Sequence, residues 1–489
     1  MPASAPQLPH ARWPAPIGAG QARLAASGWG TSWRSAELLG ALLGGHAALG
    51  WAVSQSKTAA TIHAIAVAAA ALGLTLSVPR PTAVLGVCAY IAGCEVLWRM
   101  CGAAIFWEAA KYLMAAVLII ALARRGNARA PAAAVFYFAL LLPSALLTLA
   151  LLEWTAARQQ LSFNLSGPFA LALAVAYFSN ARLRMEDLRL AAAAVAAPVT
   201  AIAAVVALRM AALGEIEFAM DSNFGSSGGF GPNQVSAMLG LGGLLCFLAA
   251  LFCRLGLVER VLALGFCAVL LLQSTLTFSR GGVYLALAAA GAAAAFLCRA
   301  GEARSRLLLA AGALSIAAFA GLPDADAWTG GRLIERFTTP DLTHRDELLW
   351  DDLAIWAANP VFGVGPGRAA EERGVEFGGA AAHTEFTRAL AEHGLFGLAS
   401  IAILGWMTLR RFSAAVAPEE KALLAALFVW PLLFMAVNSM RIAAPSLLFG
   451  LAFVRWVPAA RAAGRPAVRG LGGQRLFSVA RQPLSPKPQ

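Results

Sequence analysis

The sequence predicts an all-α, polytopic integral membrane protein with about 12–14 transmembrane helices and one long outward loop that contains short helices. Three observations predict it. Mean hydropathy is +0.68; 59% of the 489 residues are hydrophobic and only 13% are charged; and apolar runs such as AAVLIIALA and LLCFLAALF recur at lengths able to cross roughly 30 Å of hydrocarbon. Backbone polar groups in lipid must be satisfied within their own segment, so the spans are helices. The net charge of +12 raises nucleic acid as a partner, but that class needs basic residues gathered on one soluble face. Here they are scattered between apolar runs, which excludes nucleic acid and points to orientation in a lipid bilayer.

Residues 1–35 hold Arg, Pro and Gly but no compact apolar run followed by a cleavage site, so they are expected to be an uncleaved cytoplasmic segment. Spans follow at 36–54, 59–78, 83–101, 104–123, 131–152, 166–179, 190–212, 233–253, 258–278, 281–298 and 306–322, of which 166–179 is short. A polar connector, 323–392, separates this block (36–322) from the last spans at 393–409, 421–438 and 442–457. The tail 458–489 is basic, rich in Pro and Gly and poor in aromatics, and is expected to be disordered in the cytoplasm.

Every second connector is basic, as cytoplasmic connectors should be. These hold Arg80; Arg124 and Arg125; Arg182, Arg184 and Arg189; Arg254 and Arg260; Arg299 and Arg304; Arg410 and Arg411. The alternate set, which then faces outward, holds Lys57, Glu215, Glu217 and Asp221, the turn Ser279–Gly282, residues 323–392, and Asn438–Arg441. The seven cysteines lie within or at the ends of apolar runs, with no ligand spacing, and read as small core residues without metal or disulfide. Glu95 and Arg99 are four apart, and Glu108 and Lys111 three apart, so internal pairing is expected, with a polar passage for substrate as the alternative.

Three stretches could carry chemistry. Phe278-Ser279-Arg280-Gly281-Gly282 puts an arginine at the outer end of a span; it either meets an anion, with the two glycines leaving room for a bulky group, or snorkels to the interface. In Thr343–Gly367, Leu349, Leu353 and Trp356 recur at helical spacing, and Asn359-Pro360 followed by Gly363, Gly365 and Gly367 ends the helix in a tight turn. The acids Asp346, Asp351 and Asp352 read as a solvated face, whereas the delocalised fork of Arg345 suits a pyrophosphate. His383 lies just before a span and, with a reference pKa of about 6.5, can take a proton from a hydroxyl near neutral pH. His344 and His393 read as structural.

The succession SRGG, RDELLW with NPVFGVGPG, then HTEFTRALAEHGLFG resembles the O-antigen ligase and O-antigen polymerase superfamily of bacterial envelope glycosyltransferases, over roughly residues 225–410. Gly231-Pro232-Asn233-Gln234 is similar to a further stretch of that family. The resemblance implies transfer of a glycan from an undecaprenyl-diphosphate carrier to an acceptor hydroxyl at the periplasmic face of the inner membrane, without cofactor, metal or nucleotide sugar. The acceptor is a lipid A core, another glycan or a protein. It further implies that Arg280 and Arg345 hold the diphosphate and that His383 activates the acceptor, with Arg388, Trp350 and Asn233 as further substrate-binding candidates. Many members have Asn after the histidine; Thr384 stands here instead and offers no planar amide. Ligase and polymerase stay open, as does a multi-pass transporter of a small anion or envelope precursor, argued from Arg280 and the buried charges.

Overall fold

The computed structural model describes residues 33–126, 129–214, 216–299, 301–339, 345–373 and 383–457. The expected N-terminal segment up to 32, the tail 458–489, Glu215 and His344 lie outside the described residues. In chain order the helices are α1 (Trp33–Ser54), α2 (Lys57–Ser77), α3 (Pro81–Met100), α4 (Ala109–Ala123), α5 (Ala132–Ala139), α6 (Leu142–Leu151), α7 (Trp154–Phe178) and α8 (Leu188–Leu213). Then come α9 (Pro232–Phe252), α10 (Leu257–Leu276), α11 (Arg280–Leu297), α12 (Gly301–Trp328), α13 (Arg332–Thr338), α14 (Arg345–Ala358), α15 (Ala369–Glu372), α16 (Glu385–Ala414), α17 (Pro418–Val437) and α18 (Ala444–Leu451). Strands β1 (Arg182–Arg184) and β2 (Arg455–Val457) pair in parallel, Leu183 opposite Trp456.

Among the described residues eleven helices are long and apolar enough to cross a membrane, taking α5 and α6 as one interrupted span. The chain is therefore a nearly all-helical, multi-pass protein of a lipid bilayer. Helix α9 is apolar on every side, and its core is wholly buried at the centre of the bundle against α8, α10 and α11. Peripheral α2, α10 and α12 bury far less and present Ile62, Val269, Ile316 and Phe319 outward.

Four of the fourteen expected spans differ: 36–54 (α1) is not among the eleven, 104–123 is helical only over Ala109–Ala123, and two others are drawn differently. The short one at 166–179 is the second half of α7, a 25-residue helix whose polar first half carries Gln160 and Asn164; hydropathy reports only the part in hydrocarbon. The stretch 442–457 is not one helix: α18 has eight residues, and a turn then leads into β2. Likewise α12 runs past Pro323 to Trp328 and α16 begins at Glu385, so both helices reach into the stretch 323–392 expected as connector.

Contacts between connectors fall into two groups. At one end Asn180 bonds the carbonyl of Arg129 at 3.0 Å, Arg254 N–H bonds Glu186 at 3.0 Å, Arg306 bonds the carbonyl of Leu251 at 3.0 Å, and β1 meets β2. At the other, Ala104 N–H bonds Thr61 at 2.8 Å, Arg209 bonds the carbonyls of Met100 and Gly228, and Thr148 bonds the carbonyl of Pro366 at 3.0 Å. The two groups correspond to the two alternating sets of connectors; the outer end is the one holding Arg280, α13 and α15.

Candidate functional site

Helices α9 and α11 both begin at the outer end and run side by side. Their closeness is set by Gly282: a Cβ there would stand 2.0 Å from the Ser236 carbonyl oxygen. Thus Gly282 admits a neighbouring helix, not a ligand as its place in SRGG suggested; only at Gly281 does a Cβ meet nothing nearer than 3.9 Å. Ser236 stitches the junction, its hydroxyl donating to the carbonyl of Ser279 at 2.8 Å and accepting from Gly282 N–H at 3.2 Å. Ser279 Oγ in turn donates to Asn233 Oδ1 at 2.7 Å.

Between α10 and α11 the chain turns through Phe278, whose φ of 57° is left-handed for a bulky residue. Such a conformation costs on the order of 1–2 kcal/mol and persists only where the surroundings enforce it. Here they do: the ring is fully buried against Phe218, and Arg336 Nε donates to the Phe278 carbonyl at 3.1 Å. The turn starts α11 at Arg280, whose Nη1 donates to the carbonyl of Thr339 at 2.6 Å, just past α13. The first turns of two helices, with their positive dipole ends, therefore meet beside an arginine.

A second cluster lies on α3 and α4. Arg99 donates to Glu95 at 2.6 Å and Lys111 pairs with Glu108, as their spacing predicts. Arg99 also donates to Gln234 Oε1 at 3.1 Å and to the carbonyl of Arg441 at 2.8 Å, under the Trp107 ring. The largely buried connector 438–443 joins α17 to α18, and two of its N–H groups are met by carboxylates. Ala443 N–H donates to Glu95 at 2.5 Å and Met440 N–H to Glu385 at 3.0 Å. Glu95 thus accepts from the buried Ala443 N–H at the start of α18 as well as pairing with Arg99.

The third cluster gathers on α16. Gly394 (φ 61°, ψ −135°) breaks the helix, and a Cβ there would meet the Val361 carbonyl oxygen at 2.5 Å. The turn Asn359–Gly367 packs onto this break, with Val364 N–H to the Ala391 carbonyl at 2.9 Å and Gly365 N–H to that of Glu392 at 3.0 Å. Pro143 lies in the first turn of α6 after the interruption of the α5–α6 span, and Ser144 hydrogen-bonds the buried His393, consistent with a structural His393. Before the break, Arg388 donates to Glu392 and Asn164 Oδ1 from Nη1, to Glu385 and the Asn164 carbonyl from Nη2, and to Glu385 from Nε. All five of its N–H donors are engaged by Glu385, Glu392 and Asn164. Arg441 lies close by; burial, and after it the Arg388 cation, push its guanidinium below the ordinary arginine value while Glu385 opposes them.

His383 is half-buried, one residue before the N-cap of α16. That cap is Thr384, whose Oγ1 accepts from Thr387 N–H at 3.0 Å. Thr387 donates to Asp352 on α14 at 2.7 Å, and Arg373 pairs with the same carboxylate. Asp352, 1% exposed, is therefore not part of a solvated face; Asp346 is. Arg345 opens α14, which packs on α16, but its side chain lies outside the described residues. Trp350 is exposed on α14.

Hydrogen bonds and chain neighbours lead from Arg280 and Asn233, through Ser279–Asn233, Gln234–Arg99, the connector 438–443 and Glu385, to Arg388, and His383 lies two residues before Glu385. Sequence reasoning missed Asn164, Asp352, Arg373, Glu385, Glu392 and Arg441. The run Glu385, Arg388, Glu392 at three- and four-residue spacing could have shown the first ion-paired turn of α16; the other partners are distant in sequence and gave no signal. No protein-family model matches the chain, and no curated protein is significantly similar to it.

Proposed function

We propose that the chain is a membrane glycosyltransferase that moves a glycan from an undecaprenyl-diphosphate carrier to an acceptor hydroxyl on the periplasmic side of a bacterial inner membrane, as an O-antigen ligase or a polysaccharide polymerase. The observation that carries this reading is the pairing of the α9 and α11 N-termini beside Arg280, an arrangement suited to a diphosphate. In the proposed step the acceptor oxygen attacks the anomeric carbon and its proton passes to the His383 imidazole. The bond from that carbon to the diphosphate oxygen breaks, and the diphosphate leaves on its carrier. Cationic and dipolar groups in a poorly hydrated site stabilise the charge growing on the leaving oxygen better than water does. Arg345 is proposed as the second diphosphate cation, and Trp350, exposed nearby in the chain, as a platform for a sugar ring.

The transporter alternative takes its support from buried charges lining a passage. Those charges pair with one another and hydrogen-bond the backbone of 438–443, which favours transfer over transport. The test is purified full-length protein in vesicles with a polyprenyl-diphosphate-linked oligosaccharide and a hydroxyl acceptor. Release of carrier diphosphate with glycosylated acceptor supports the reading; uptake of labelled anion without consumption of the donor overturns it.

A further inference from the structure

Trp107 lies in the outer connector between α3 and α4 and is fixed there by Arg99, whose side chain is only 4% exposed. Nη2 and Nε of Arg99 donate to the Trp107 carbonyl at 2.8 and 3.2 Å, and the guanidinium stands 4.7 Å from the centroid of the indole. Phe230 flanks that ring at 6.2 Å between centroids. Arg209, bonded to the carbonyls of both Met100 and Gly228, ties together the two connectors that carry the rings. Trp107 is nonetheless 50% exposed. A tryptophan that only anchors at a headgroup layer needs no such fixing, because fluid lipid adapts to it. Arg99 also donates to Gln234 Oε1 at 3.1 Å, which leaves the Gln234 Nε2 as a donor with no acceptor among the described residues. Beside Phe230, Gly229 is exposed and a Cβ there would meet nothing within 4 Å, so the chain builds no wall next to the rings.

A pyranose carries C–H bonds on its flat faces and hydroxyls around its edge. The electron-rich face of an indole attracts those polarised hydrogens, and an amide N–H beside it can donate to a ring hydroxyl. Trp107 and Gln234 offer both features from one Arg99 guanidinium, on an indole that is already ordered, so little side-chain entropy is lost on binding. We propose that Trp107 is a binding platform for a pyranose ring of a glycan, with Gln234 Nε2 donating to one of its hydroxyls. The residue before Gln234 is Asn233, which Ser279 ties to the turn that starts at Arg280, so the platform is continuous with the proposed diphosphate site. The inference rests on the transferase reading for the presence of a glycan. Donor and acceptor can each supply the ring, and the test tells them apart.

The test measures binding to the full chain in phosphatidylcholine nanodiscs with three probes: a polyprenyl diphosphate bearing an oligosaccharide, the same carrier without sugar, and lipid A with its core oligosaccharide. Trp107→Ala should weaken one of the two glycan-bearing probes about tenfold and leave the sugar-free carrier unchanged. Trp107→Phe, which keeps an aromatic face, should restore most of the loss. A loss on the carrier-linked probe assigns the ring to the donor, and a loss on lipid A core assigns it to the acceptor. Unchanged affinity of the folded Trp107→Ala protein for both glycans overturns the proposal. So does an equal loss for the sugar-free carrier, which marks Trp107 as a lipid anchor, or a Trp107→Phe protein as weak as Trp107→Ala. Phe230→Ala is read by the same criteria if Trp107→Ala does not fold. Sugar transfer on the same samples separates the two readings. Transfer with affinities that ignore residue 107 sinks the platform alone, whereas a glycan affinity that depends on Trp107 in a protein that transfers nothing counts against the transferase and leaves the platform standing.

Discussion

Ser279 Oγ donates to Asn233 Oδ1 at 2.7 Å, and this bond ties together the first turns of α9 and α11 beside Arg280. Each helix N-terminus carries roughly half a positive charge, so an added carboxylate here opposes an anion. Asn233→Asp keeps the acceptor for Ser279 and should fold normally, yet weaken binding of a diphosphate-headed lipid about tenfold or more relative to Asn233→Ala. Equal affinities in a titration of the two variants would remove the anion from this site.

Arg280 and Arg388 should separate binding from folding. Arg388→Ala leaves Glu385 and Glu392 buried without their cation, a change that typically costs about 3–5 kcal/mol, and a large fall in thermal stability is expected. Arg280→Ala, half-buried at a helix start, should leave the melting temperature nearly unchanged while donor binding and turnover both drop. The reverse ordering in a thermal melt would show that the roles have been exchanged.

His383→Ala should lower turnover on the order of 10²–10⁴-fold with donor affinity largely intact. Thr384→Ala removes the α16 cap, worth about 1 kcal/mol, and should perturb both stability and rate modestly. If transfer by the His383→Ala protein matches the unsubstituted chain in a lipid-linked assay, the general-base role is wrong.

Gly394 holds a backbone conformation that side chains rarely adopt, with no room for a Cβ against Val361. Gly394→Ala should therefore destabilise by on the order of 1–3 kcal/mol or more and displace the turn before it, including the Arg388 ion pairs. Gly405→Ala in the same helix, where a Cβ meets nothing within 4 Å, should be neutral or slightly stabilising. Similar melting curves for the two variants would mean that the break at Gly394 is absent in the protein.

Orientation is checked with single cysteines in a cysteine-free background. Asp221→Cys should react with an impermeant maleimide added to the periplasmic side of intact cells, and Arg124→Cys only after permeabilisation; both positions are exposed on their connectors. Labelling of Arg124→Cys in intact cells would invert the topology and move Arg280 and His383 to the cytoplasm.

The apolar runs alone located most of the spans, because lipid demands about twenty consecutive apolar residues and the sequence displays them. They were silent about where helices continue beyond the hydrocarbon. Hence hydropathy assigns the polar halves of α7 and α16 and the outer end of α12 to connectors, and 442–457 to a span, although only Ala444–Leu451 is helical there. The pairs Glu95–Arg99 and Glu108–Lys111 were legible because helical spacing fixes neighbours three and four residues away.

What the sequence by itself determined is the class of protein, the alternation of its connectors and the candidate positions Arg280 and His383, all consequences of local composition and spacing. Only the tertiary structure decided that Gly282 receives a helix, that Asp352 is buried on Arg373, and that Glu95 and Glu385 hold the backbone of 438–443. Those partners lie tens to hundreds of residues apart, and a buried donor or charge takes whichever acceptor the packed helices bring to it.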